Sequence, residues 1–215
     1  ITANEDAYWL VLAKTVPIYG EKLTKKIYNL IDLYYMHCFD VQIATNYKYT
    51  AKYFLEIFDE LKKHKKHKND SVFGQIFAFL GSIEESRNKA SILALEKISG
   101  GQWGILISLA SIITYCIFGL RTDELHSKII TVMLTTILVL VLLIVRDLQN
   151  LMFGGETLAV ESGQEVLIYI GKERYYNKKY IDDGSVKIPK YVKRYRLGYH
   201  KPDEKLKIKI VNVKS

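Results

Sequence analysis

Two long stretches without a charge constrain this chain more than anything else in it. Trp103 to Leu120 and Ile129 to Val145 contain none of its 31 Lys+Arg and none of its 23 Asp+Glu. An α-helix rises about 1.5 Å per residue, so about 20 apolar residues cross about 30 Å of hydrocarbon. The first run, WGILISLASIITYCIFGL, has 18 residues, and the second, IITVMLTTILVLVLLIV, has 17. The second becomes long enough once Leu125 to Lys128 supply a snorkelling end. Both are too apolar on every face for a surface helix of a soluble domain. The competing reading is a hairpin buried in a soluble core, but a chain of this size rarely covers two such helices completely. Only RTDELHSK separates the runs, which predicts a tight antiparallel transmembrane hairpin over 103–145. Trp103 then marks one interface.

These runs explain why the composition misleads. With 49% hydrophobic and 25% charged residues, the chain looks like an ordinary globule on average. It is no collagen-like, disulfide-rich or wholly disordered chain. The net charge of +8 is lopsided as well. Residues 1–102 carry net +2, residues 121–128 net zero and residues 146–215 net +6. The short loop has two basic residues, Arg121 and Lys128, and both flanks hold many more. Positive residues favour the cytoplasmic side, so both flanks are expected in the cytoplasm and residues 121–128 outside.

Polar residues recur at helical spacing within the spans. Ser108, Ser111 and Tyr115 do so in the first, Thr131 and Thr135 in the second, with Thr136 beside them. Small hydroxyl residues can bond to their own backbone or let helices approach. They can also line a water-filled path, which one hairpin could build only as part of a homo-oligomer. In that case Ser108, Ser111, Thr131 and Thr135 are the pore lining. No ionisable residue lies mid-span, which argues against a proton relay there.

The first hundred residues read as helices leading towards the membrane. Leu23, Ile27, Leu30, Ile31 and Tyr34 repeat at helical steps, as do Tyr49, Tyr53, Phe54, Ile57, Phe58 and Leu61 over 47–63. A third helix opens with Phe73, Ile76, Phe77 and Leu80 and runs towards Gly100-Gly101, which break or hinge it. It could continue the first span as a stalk. Residues 7–19 read as the interfacial end of an earlier span. The run KKHKKHKND at 62–70 is a solvated basic linker. His64 and His67 lack acidic or thiolate companions there, so no metal site is expected. Cys38 and Cys116 make no disulfide framework.

After a linker over 146–163 the pattern changes. Residues 164–215 read as a small basic β domain, antiparallel or a partial barrel. Its expected strands are 165–170, 174–181, 186–197 and 205–213, with Pro189 marking an edge or a bulge. Residues 172–215 carry 14 Lys+Arg against five Asp+Glu, net +9. Aromatic faces stack bases and cations track phosphates on single-stranded nucleic acid. On that reading Tyr175, Tyr176, Tyr191 and Tyr195 are stacking platforms, and Lys178, Lys179, Lys193, Arg194 and Arg196 hold phosphates. Anionic lipid headgroups, a protein partner and a plain solvated sheet are the alternatives.

The chain has no phosphate-binding glycine loop, no dinucleotide fingerprint, no zinc-protease helix and no nucleophile elbow. Neither an enzyme activity nor a cofactor is expected. A helix with Arg87 leads to a break and Trp103, then to two spans, with Asp147 and Phe153-Gly154 after the second. This order, over about residues 75–165, resembles the bestrophin-like domain family of bacterial membrane proteins. The resemblance implies oligomeric, channel-like behaviour and spans upstream. The layout also resembles antiphage membrane effectors of the Hailong type, in which a cytoplasmic module binds a nucleotide or oligonucleotide and controls permeability. The expectation is a mainly α membrane protein with cytoplasmic helices, a transmembrane hairpin and a small antiparallel β domain. It would act as an oligomeric inner-membrane channel gated by a cytoplasmic ligand, such as single-stranded DNA. The alternative is a non-conducting membrane scaffold whose helices bind a protein partner.

Overall fold

The computed structural model describes residues 2–41, 43–64, 70–95, 100–120, 122, 124–149, 152–153, 156–157, 161–200 and 204–213. The chain divides into two units, residues 1–95 with 156–215, and residues 96–155.

The larger unit begins with α1 (Thr2–Thr15), whose residues Trp9, Leu12 and Ala13 are fully buried. These lie at three- and four-residue steps, so one face of the helix enters the core. Within residues 7–19, Trp9, Leu12, Ala13 and Val16 are therefore core, while Val11 and Ile18 stay exposed. A 3-10 turn over Val16–Tyr19 and Gly20, at φ 106°, lead into α2 (Glu21–Asp40). Leu23, Ile27, Ile31, Tyr34 and Tyr35 form its buried stripe. Helix α3 (Ile43–Lys63) buries Phe54, Ile57 and Leu61, and α4 (Ser71–Leu95) buries Phe73, Ile76, Leu80 and Ile83. Helix α2 packs on α3, α3 on α4, and α4 on α1. His67 and the junction at residues 96–99 lie outside the described residues.

The tail departs from the expected strands. Residues expected as the first strand form helix α7 (Glu161–Tyr169). Gly163, Gln164, Val166, Leu167 and Ile170 are buried, a helical spacing that the short apolar run concealed. The helix ends in a Schellman motif. Lys172 N–H donates to the Leu167 carbonyl at 2.9 Å, and Gly171 N–H to that of Ile168 at 3.0 Å. Gly171 has φ 75°, the left-handed position this cap requires.

Strands β1 (Met152–Phe153) and β2 (Glu156–Thr157) are two residues each. Strand β3 is only Tyr175–Asn177, because Asn177 caps a short helix, α8 (Lys178–Asp182). Strands β4 (Arg194–Gly198) and β5 (Ile208–Asn212) complete a sheet of order β3-β4-β5. β3 pairs with β4 in parallel, and β4 with β5 antiparallel. The sheet is thus mixed and not antiparallel throughout: α8 and the loop after it form the crossover that a parallel pair needs. The tail is also not a separate domain. Val166, Leu167, Ile170 and Tyr175 belong to the same buried cluster as Trp9, Ile27, Ile57 and Ile76.

The second unit holds α5 (Gly100–Gly119) and α6 (Leu125–Gln149). Gly100 and Gly101 are the first residues of α5. Both helices are long and apolar enough to cross a membrane, with 20- and 22-residue segments of mean hydropathy 1.6 and 2.8. Only 6% of each is buried within the protein, unlike a soluble core helix. Among the hairpin's described residues only Ala110 and Thr131 are buried, a small residue on each helix.

Candidate functional site

Helix α2 carries two acids on its buried face, Asp32 and Asp40, eight residues apart and thus on the same side. Both are engaged by the tail. Arg196 grips Asp32 with two nitrogens, Nη1 to Oδ2 at 3.0 Å and Nη2 to Oδ1 at 2.6 Å. Its Nε donates to the Glu173 carbonyl at 2.9 Å. The two side chains are 12% and 10% exposed, so this bidentate pair is largely desolvated.

Asp40 is the hub of a fully buried cluster. Tyr175 Oη donates to its Oδ1 at 2.6 Å, and Asn177 Nδ2 to the same oxygen at 2.7 Å. His200 Nε2 lies 2.8 Å from Oδ2. Lys207 N–H donates to His200 Nδ1 at 3.2 Å, which leaves the ring proton on Nε2, facing the acid. Burial first, and Asp40 second, hold the Tyr175 phenol well above its usual pKa. Gly198 makes the geometry possible: a Cβ there would lie 2.0 Å from Tyr175 Oη.

A second polar cluster lies where α1, α2, α4 and α7 meet. Glu5 accepts from Trp9 Nε1 at 3.3 Å and from Tyr34 Oη. Asp6 accepts from Tyr35 Oη at 2.6 Å and from Ser162 Oγ on α7. Burial, the largest cause, lifts the Glu5 carboxyl from its ordinary value to about 7, with Asp6 adding to the rise and Tyr34 opposing it. Arg87 on α4 is buried over the rings of Phe54, Tyr47 and Tyr34, at 4.6, 4.9 and 5.4 Å. Its guanidinium is paired with Glu84 at 2.7 Å and donates to Thr50 Oγ1 at 3.0 Å.

No family model, curated protein or solved structure matches this chain. The reading of its function therefore rests on its own residues.

The nine residues expected to hold nucleic acid fall into two groups. Tyr175, Tyr176 and Tyr195 are buried, so they offer no face to a base in this structure. Tyr176 and Tyr195 pack edge to face at 5.5 Å in a small core with Val192. Arg196 is spent on Asp32. The stacking role expected of these tyrosines thus gives way to packing, because β3 and β4 lie between α2 and a second apolar cluster. The other five are exposed: Lys178, Lys179, Tyr191, Lys193 and Arg194. Arg194 pairs with Glu173 at 2.9 Å. Tyr191 is 66% exposed, donates to Glu161 at 2.6 Å and lies under Arg174.

Three of the four hydroxyls expected to line a pore bond within their own helices. Ser111 donates to the Ile107 carbonyl, Thr131 to Ser127 and Thr135 to Thr131, at 2.8, 2.9 and 2.8 Å. Ser108 is exposed, Thr135 half-buried and Thr131 buried.

Sequence reasoning missed Asp32, Asp40, Glu5, Asp6, Asn177 and His200. A signal existed for the first two. They interrupt the apolar stripe of α2, beside Ile31 and Phe39, and an acid there requires a partner.

Proposed function

We propose that this chain is a bacterial inner-membrane protein, anchored by the α5–α6 hairpin, with both flanks in the cytoplasm. The observation that supports it most is the apolar surface of those helices. Ile105, Ile112, Phe118, Val132, Ile137 and Leu140 are each at least half exposed, a surface that a soluble chain does not leave in water. In this reading the hairpins of several copies assemble into a permeabilising channel, as the bestrophin-like resemblance implies. The larger unit is its cytoplasmic regulator.

The regulatory ligand is an anion, and a single-stranded oligonucleotide fits the remaining exposed groups. Lys178, Lys179, Lys193 and Arg194 hold phosphates and Tyr191 offers one ring face. Binding by such groups weakens steeply with salt. Replacing all four cations with alanine should flatten the slope of log affinity against log salt by about 0.7 per lost phosphate contact. A slope unchanged by the substitutions, or absence of binding at low salt, contradicts the oligonucleotide reading.

A second reading, a non-conducting membrane scaffold, is favoured by one observation. The hydroxyls of Ser111, Thr131 and Thr135 are already satisfied within their own helices, so they need no water path. Planar-bilayer recording of the purified protein separates the two. Ligand-dependent current supports the channel, and a silent bilayer under every ligand condition supports the scaffold.

A further inference from the structure

We propose that the buried Glu5–Asp6 pair is a proton-binding site that controls how firmly α1 and α7 are seated on the helical core. The argument begins with what surrounds the two carboxyls. Both side chains lie on α1 and both residues are buried, at 5% and 8% exposure. From α1 itself the partner is Trp9, and from α2 the partners are Tyr34 and Tyr35. Cys38, also on α2, is near enough that both acids raise its thiol pKa, which burial already lifts. From α7 the partner is the Ser162 hydroxyl. Two cations act on the site: Arg87 on α4, whose ion pair is with Glu84, weakly opposes the rise at Glu5, and the amino terminus opposes it at Asp6.

Every hydrogen bond given to the pair thus comes from a neutral donor. Two adjacent buried carboxylates served by neutral donors repel one another and lack solvation. One of them is held protonated at the cost of one proton taken from solution. Glu5 is that group, since burial places its titration at about 7.

The site is also a joint. Asp6 holds Ser162 at the start of α7, and the next residue, Gly163, sits against α2. A Cβ on Gly163 would come to 2.8 Å of Tyr35 and 2.9 Å of Phe39. Tyr35 therefore touches both the acid pair and the seat of α7. Ionising Glu5 beside Asp6 is relieved by letting water in, which means drawing α1 away from α2 and loosening α7 with it. The sign follows from linkage. A carboxyl whose folded pKa is raised stabilises the closed state fully below its ordinary value, about 4.5, and that stabilisation is lost as pH rises to about 7. The site therefore makes the attachment of the tail to the helices respond to pH near neutrality, whatever the membrane hairpin does.

Hydrogen exchange of the full-length protein in detergent, corrected for the chemical exchange rate, tests this between about pH 5 and 8.5. The expected result is a fall in protection of α1 and α7 amides of up to about tenfold per pH unit until about pH 7, with a plateau above. The amides of α3 should change little. In Glu5→Gln, which keeps the shape but cannot ionise, the step should vanish. A wild-type profile flat across this range, or an equal step in Glu5→Gln, overturns the proposal. If Glu5→Gln does not fold, Asp6→Asn removes the charge that raises Glu5 and should move the step to lower pH, and an unmoved step overturns the proposal.

Discussion

Gly198 and Tyr175 illustrate how closely the tail is fitted to the helices. A methyl group at Gly198 would meet the Tyr175 hydroxyl at 2.0 Å and its Cζ at 2.8 Å. Gly198→Ala must therefore push Tyr175 off Asp40, and should cost about 1–3 kcal/mol or more. Tyr175→Phe removes the clashing oxygen, so the double variant should be less destabilised than the sum of the singles. Urea unfolding of the four proteins measures this, and strict additivity would show that the two side chains do not compete. Arg196 tests the other contact. Arg196→Met leaves Asp32 buried without its main partner, and should cost about 3–5 kcal/mol. Had Arg196 been a free phosphate ligand, the loss of stability would be near zero. Its role was hard to read because a basic, tyrosine-rich segment has the same composition whether its cations face solvent or a buried acid. The acid that decides it lies 164 residues earlier.

At the scale of elements, the helices were legible and the tail was not. Apolar residues at three- and four-residue steps mark α2, α3 and α4 over many turns, so period and length agree. The run Glu165 to Ile170 is too short for period alone to separate a buried helix from a strand. Only the turn at Gly171, a Schellman cap, was visible as a stop. The strand expected over 174–181 stops at Asn177, because that side chain accepts from Lys179 N–H at 2.9 Å and caps α8. The clean alternation of Leu206, Ile208 and Ile210 did mark β5. The span hydroxyls make a further prediction. Thr135 Oγ1 already bonds to the Thr131 carbonyl, so Thr135→Val should change hairpin stability by less than about 1 kcal/mol. It should leave any conductance intact. A large loss of current in Thr135→Val would place that hydroxyl on a water path.

For the whole molecule, the chain is best described as one helical unit interrupted by a hairpin. Residues 1–95 and 156–215 share a core although 60 residues part them. That division was not legible, since nothing local in the tail announces Asp32 and Asp40 as its partners. The two long apolar helices were legible, because runs of 18 and 17 uncharged residues mark them. The structure forms both helices and leaves their apolar sides exposed. The most direct test of the central claim is alkaline extraction of membranes from cells expressing the full-length chain. Insertion of the α5–α6 hairpin predicts that the protein stays with the lipid pellet and is released only by detergent. Recovery in the alkaline supernatant without detergent would contradict it.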